Sequence, residues 1–214
     1  SKAIEIDPSH ADAYNNRGVE YSALGERRRA IADFSKAIEM RPTHADAYNN
    51  RGVAYSALGD KGRAIKDYEK AIETNPQYAQ AYSNRGSAYD ALGDRARAIK
   101  DYDKAIEINP KYADAYNNRG NAYAALGDMQ RAIKDYDKAI ELNPKSAKGY
   151  NNRGSAYYSL GDKRQAIRDY DKAVEIEPKY AKAYNNRGNA YYSMAETRRA
   201  IQDFDRAVKI DPKL

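Results

Sequence analysis

The stretch ADAYNNRGNAYAALGDMQRAIKDYDKAIELN, Ala113–Asn143, decides the fold, because it holds two amphipathic segments separated by a break and is not unique in the chain. Near-copies precede and follow it, each ending in a proline: Pro8, Pro42, Pro76, Pro110, Pro144, Pro178 and Pro212 are spaced 34 residues apart. A fixed period of this length makes the repeat the unit of structure. In the first copy Ala11, Tyr14, Gly18 and Tyr21 recur at intervals of three or four, which places them on one face of an α-helix over Ala11–Leu24. Gly25 breaks that helix and Glu26 stands where a capping acid meets the next N-terminus. A second helix follows from about Arg27 to Glu39, with Ala30, Ile31, Phe34, Ala37 and Ile38 on its apolar side. Pro42 ends it, since proline cannot supply the N–H that continuation requires. Neither helix can bury its stripe alone, so neighbouring copies must stack.

Composition agrees with an alanine- and tyrosine-filled helical core. The 214 residues include 21 Tyr but no Cys or Trp, and mean hydropathy is −0.98. Low hydropathy with high net charge is the mark of a disordered chain. Here the net charge is only +6, and Ala and Tyr replace the missing large aliphatics. The lack of cysteine excludes disulfides, thiolate metal sites and cysteine nucleophiles. No basic-then-apolar leader opens the sequence and no apolar run approaches the ~20 residues of a membrane span, so a cytoplasmic location is the expectation.

The repeat resembles the tetratricopeptide repeat on Tyr14, Gly18, Tyr21, Ala30, Phe34 and Pro42 and their counterparts in six copies. The resemblance implies an all-α fold, a right-handed superhelical solenoid of antiparallel helix pairs, over six repeats: 11–44, 45–78, 79–112, 113–146, 147–180 and 181–214. Residues 1–10 read as the second half of a truncated repeat's helix. Two departures stand out. The family's Trp is Tyr throughout, and its Leu before the glycine is Arg17, Arg51, Arg85, Arg119, Arg153 and Arg187. A buried Arg is costly unless paired. Each second helix supplies an acid before its aromatic residue (Asp33, Asp67, Asp101, Asp135, Asp169 and Asp203), so an Arg–Asp stitch between helices is expected. Gly18 and its equivalents are expected to allow close packing against Ala30 and its equivalents.

By the same resemblance the first helices line a concave groove and the protein is a non-catalytic interaction scaffold for a peptide segment or helix. The most regular groove feature is a row of amides, Asn16, Asn50, Asn84, Asn118, Asn152 and Asn186, whose donors and acceptors suit a peptide backbone. One turn away the residues vary as Val19, Val53, Ser87, Asn121, Ser155 and Asn189, where selectivity can reside. Asp12, Asp46 and Asp114 at the start of earlier repeats give way to Lys148 and Lys182, and Tyr158 and Tyr192 occur only in the last two repeats. The C-terminal half therefore favours an acidic or aromatic-containing peptide. The family's clamp for a C-terminal carboxylate is not reproduced, since its interior Lys position reads Asn15, Asn49, Ser83, Asn117, Asn151 and Asn185.

Two alternatives remain at this level. Ser1–Pro8 repeats the text of Ser35–Pro42, and no polar capping helix follows Pro212, which reads as a piece of a longer array able to stack head-to-tail with a second copy. The second helices open with ERRRA, DKGRA, DRARA, DMQRA, DKRQA and ETRRA, a basic ridge that nucleic acid could follow, though aromatics committed to the core and modest net charge weigh against it. The two histidines, His10 and His44, lie in inter-repeat turns without a repeated nucleophile or metal-ligand spacing, so neither catalysis nor a metal or other cofactor is expected.

Overall fold

A computed structural model describes residues 10–213. The half-helix expected over 1–10, and the end-to-end stacking built on it, fall on residues 1–9, outside the described residues. Among the described residues there are twelve α-helices and no strand. Contacts divide the chain after Pro110 into two compact units. The first holds α1 (Ala11–Ala23), α2 (Arg27–Met40), α3 (Ala45–Ala57), α4 (Lys61–Thr74), α5 (Ala79–Ala91) and α6 (Arg95–Ile108). The second holds α7 (Ala113–Ala125), α8 (Met129–Leu142), α9 (Ala147–Ser159), α10 (Lys163–Ile176), α11 (Ala181–Tyr192) and α12 (Thr197–Ile210). Each odd-numbered helix pairs with the even-numbered one after it, and within a unit each even-numbered helix packs on the next pair.

The turns follow from local chemistry. Gly25, Gly59, Gly93, Gly127 and Gly161 all take positive φ, between 79° and 87°, after the first helix of their pair. The sixth turn forces Ala195 into the same region at φ 61°, which strains a residue carrying a Cβ. Asp60, Asp94, Asp128 and Asp162 cap the following helix by accepting from the backbone N–H three residues on. Glu26 does not cap α2 as expected, nor does Glu196 cap α12. Glutamate is one methylene longer than the preferred capping acid, and these two carboxylates pair with Arg29 at 2.6 Å and Arg199 at 2.7 Å instead. The even-numbered helices end before proline, where sterics push the residue into extended backbone; Arg41, for example, sits at φ −134°.

The core is a series of small clusters, each joining three helices. Ala30 and Phe34 of α2 meet Ala54 of the next pair, with Tyr21 and Ile31 at the edge. Ala64, Tyr68 and Ala88 repeat this cluster in the first unit, and Ala132, Tyr136 and Ala156 in the second. The glycines in the first helices are required first by these rings, and in three repeats also by the Ala30 equivalents, since a Cβ on Gly86, Gly120 or Gly154 would lie 3.1–3.2 Å from the backbone oxygen of Ala98, Ala132 or Ala166. A Cβ on Gly18 would lie 2.6 Å from Cε1 of Phe34, and one on Gly120 would lie 2.7 Å from Cε1 of Tyr136.

The Arg–Asp stitch is present in every pair. Arg17 meets Asp33 with Nε–Oδ2 at 2.6 Å and Nη2–Oδ1 at 2.7 Å, and the other five pairs repeat the two-pronged geometry at 2.6–2.8 Å. The aspartates are buried, while the arginine side chains keep 17–31% of their surface. The guanidinium groups also lie 5.3–5.7 Å from the preceding tyrosine rings, such as Tyr14 and Tyr48. A ring face beside a cation lowers the cost of partial burial. The aspartate hydrogen bonds hold the pKa values of Arg17, Arg51, Arg85, Arg153 and Arg187 above their ordinary value.

Candidate functional site

A hollow in the second unit gathers several of the expected groove residues. It is lined by Asn121, Ala124, Met129, Tyr136, Asn151, Asn152, Ser155, Ala156, Ser159 and Lys182. Helices α7, α9 and α11 supply its polar groups, and α8 supplies Met129 and the ring of Tyr136.

The row of amides is engaged between repeats before any ligand arrives. Asn50 donates to Asn15 Oδ1 at 3.1 Å, Asn84 to Asn49 at 2.9 Å, Asn152 to Asn117 at 3.1 Å and Asn186 to Asn151 at 2.9 Å. The acceptors form a second, buried column: Asn49 and Asn151 each expose only 1% of their surface. This accounts for asparagine in mid-helix, where its propensity is poor, because a buried amide oxygen without a donor would be costly. The Asn-Asn doublet carried this signal, since residues adjacent on a helix face different directions. Asn16 is exposed in α1 and Asn118 is partly buried in α7.

The variable column has a structural share too. Tyr102 donates its hydroxyl to Ser87 Oγ at 3.2 Å, Tyr136 to Asn121 Oδ1 at 2.8 Å and Tyr170 to Ser155 Oγ at 3.2 Å. Tyr68, whose repeat has Val53 in this column, has Ser56 as its polar neighbour instead. The first and last repeats have Phe34 and Phe204, with no hydroxyl to place, beside Val19 and Asn189 in the column. Burial holds these phenols neutral, pushing Tyr102 and Tyr170 up to about 12. Polar character in this column thus partly tracks tyrosine on the neighbouring helix, a pairing visible in the sequence 15 residues apart.

Of the remaining expected residues, Lys148 and Lys182 are exposed at the starts of α9 and α11, and Lys182 reaches the hollow. Asn189 is exposed, as is Tyr192 at 68%. Tyr158 is less available, being packed against the Ala166–Tyr170–Ala190 cluster.

The basic ridge is partly paired from within. Arg63, Arg97 and Arg131 pair with the capping Asp60, Asp94 and Asp128 at 2.5–2.7 Å, and Arg97 and Arg131 lie 4.4 Å from the rings of Tyr89 and Tyr123. Lys61 and Lys163 donate to the backbone carbonyls of Ser56 and Ser193. Arg27, Arg28, Arg164 and Arg198 of the same ridge are exposed. Among the described residues no cluster of three His, Asp or Glu side chains could hold a metal, and no helix is long and apolar enough to cross a membrane.

Residues 11–44, 45–78, 113–146 and 181–214 match a family described as Tetratricopeptide repeat. Related repeat families match 91–127 and 154–194, and 67–100 and 135–168. No curated protein matches the chain. Among solved structures, MamA is similar at 29% identity with a TM-score of 0.67, over 76% of this chain and 95% of that one. YrrB, described as a TPR protein with an unusual peptide-binding site, is 26% identical with a TM-score of 0.64, over 85% of this chain and 94% of that one. A chain of the APC/C hetero-tetramer Cut9–Hcn1 shares the fold at a TM-score of 0.89 and 21% identity, over 100% of this chain and 42% of that one.

Proposed function

Because the chain belongs to the tetratricopeptide repeat family, and so to a class of protein-interaction scaffolds, we propose that the α7–α9–α11 face of its second unit binds an extended acidic peptide. The observation that carries this reading is the hollow, where Asn121, Asn152 and Ser155 stand beside the exposed cation of Lys182 over a floor of Ala124, Met129 and Ala156. Amides address a peptide backbone irrespective of side chain, and an exposed lysine selects an acid without needing a fixed geometry. Tyr192 and Asn189, exposed on α11, extend the surface. The peptide-binding site named for YrrB, a protein of the same repeat class, supports the choice of ligand. The reading is non-catalytic.

The test is a display screen of random dodecapeptides on the whole immobilised chain, with Lys148→Glu and Lys182→Glu variants alongside. Acidic peptides should enrich on the parent protein and lose at least tenfold in affinity on the charge-reversed variants. Enrichment indifferent to both reversals, or none, would contradict the reading.

A further inference from the structure

A hollow of about 470 Å3 lies between α3 and α4, lined by Tyr48, Arg51 and Tyr55 of α3 and by Arg63, Lys66 and Lys70 of α4. None of the amide row takes part in it. The residue that bears on it most stands on α2. Each second helix carries an acid directly after its core aromatic residue, as Glu69, Asp103, Asp137, Asp171 and Asp205, except α2, which has Ser35. In the second unit that acid has a visible task. Asp137 accepts from Arg153 Nη1 and Asp171 from Arg187 Nη1, each at 2.6 Å. Arg153 and Arg187 therefore hold two carboxylates apiece, one from their own pair and one from the pair before.

Arg51 holds one. Its Nε and Nη2 are both spent on Asp67 at 2.8 Å, while Nη1 meets the neutral hydroxyl of Ser35 at 3.0 Å. That hydroxyl gives its own hydrogen to the carbonyl of Ile31 at 2.7 Å. A guanidinium has five N–H donors, so Nη1 keeps a hydrogen to give, and 20% of the side chain's surface is open to a ligand. The carboxylates around the hollow are engaged elsewhere. Asp67 is taken by Arg51, Glu73 pairs with Lys70 at 2.7 Å, and Glu69 acts on Arg85 of the next pair.

We propose that the hollow between α3 and α4 docks an acidic side chain of a partner protein, whose carboxylate takes on Arg51 the place that Asp137 and Asp171 take on Arg153 and Arg187. One carboxylate is the charge that the precedent within the chain calls for, since Arg51 is already half neutralised by Asp67. The exposed Lys66 adds a cation that draws an acid towards the hollow. The rings of Tyr48 and Tyr55, one turn to either side of Arg51 on α3, offer apolar surface to the residue beside that acid. The site lies within the first unit and does not rest on the peptide reading of the second.

Random dodecapeptides displayed against the whole chain test it, sorted by two substitutions at one position. Ser35→Asp supplies from within the acid that the other five repeats carry, and should melt no lower than the parent. Ser35→Ala removes the hydroxyl and leaves the carboxylate's place on Arg51 open. Fluorescein-labelled synthetic forms of the enriched peptides are then measured by anisotropy. Peptides that dock at Arg51 should carry Asp or Glu beside an apolar or aromatic residue and bind Ser35→Ala as they bind the parent. On Ser35→Asp they should weaken about tenfold, the worth of one hydrogen bond to a charged group. Changing the peptide's own acid to its amide should cost the same on the parent chain, a reading that needs no variant protein. Peptides held by the second unit survive Ser35→Asp and fall with Lys182→Glu instead, so the two sites fail separately. No peptide weakened by Ser35→Asp would overturn the proposal. Equal weakening by Ser35→Ala would overturn it too, because the hydroxyl would then be what the ligand reads, as would full affinity of the amide form.

Discussion

Arg153 holds Asp169 by two prongs, Nε–Oδ2 at 2.8 Å and Nη2–Oδ1 at 2.7 Å, and its third nitrogen, Nη1, reaches Asp137 of the preceding pair at 2.6 Å. One guanidinium thus ties α8, α9 and α10. Arg187 does the same for Asp203 and Asp171. Arg153→Ala should cost about 3 kcal/mol, the low end for breaking a buried pair because the arginine is partly wet. Arg153→Leu with Asp169→Leu should recover most of that loss, since two apolar groups leave no buried charge behind. Urea denaturation followed by circular dichroism distinguishes the two; equal losses in the single and double variants would contradict the pairing account.

The amide ladder makes a parallel statement about hydrogen bonds between neutral groups. Asn84→Ala leaves Asn49 Oδ1 without its donor at a residue that is 1% exposed. The expected loss is about 1–3 kcal/mol, whereas Asn16→Ala, at an exposed position, should be nearly silent. Matched losses at the two sites in chemical denaturation would count against the ladder.

The left-handed turn residue of the last pair is an alanine, Ala195 at φ 61°. Ala195→Gly should raise stability by about 1 kcal/mol by removing the Cβ penalty. The reverse change, Gly161→Ala at φ 85°, should lower it by a similar amount. Thermal melting of the pair of variants reads both signs.

His44 lies buried between Asp12, 3.2 Å from its Nε2, and the nearby Arg41 and Asp46. Burial, followed by the charge of Arg41, lowers its pKa below the usual 6.5 against the pull of Asp12 and Asp46. With the folded value depressed, the unfolded chain binds the proton more readily, so stability rises with pH through this range. The contribution is intact above about pH 6.5 and declines as pH falls towards the folded pKa. His44→Tyr, the residue found in the same turn position as Tyr78 and Tyr112, should flatten the stability profile between pH 6.5 and 5 relative to the parent. Parallel pH profiles would show that His44 is not responsible.

The architecture was legible because the 34-residue spacing of the prolines constrains the whole chain at once, and because an arginine in a core position demands an acid. Other details needed coordinates. Glu26 looked like a cap, but the choice between the backbone and Arg29 turns on one methylene. Gly18 was read against Ala30, whereas the ring of Phe34 is what fills its space. The asparagine row was visible as a row. Its inward hydrogen bonds were not, since each depends on a partner 31 or 35 residues away, and they decide whether an amide offers an oxygen or an NH2 group.

The most direct measurement of the binding claim is a titration of the 15N-labelled chain with the enriched acidic peptide, following backbone and asparagine side-chain amide resonances. Perturbations concentrated on α7, α9 and α11, including the side-chain signals of Asn121 and Asn152, are the predicted result. Perturbations centred on α8, α10 and α12, with the Asn121 and Asn152 side-chain signals unmoved, would contradict it.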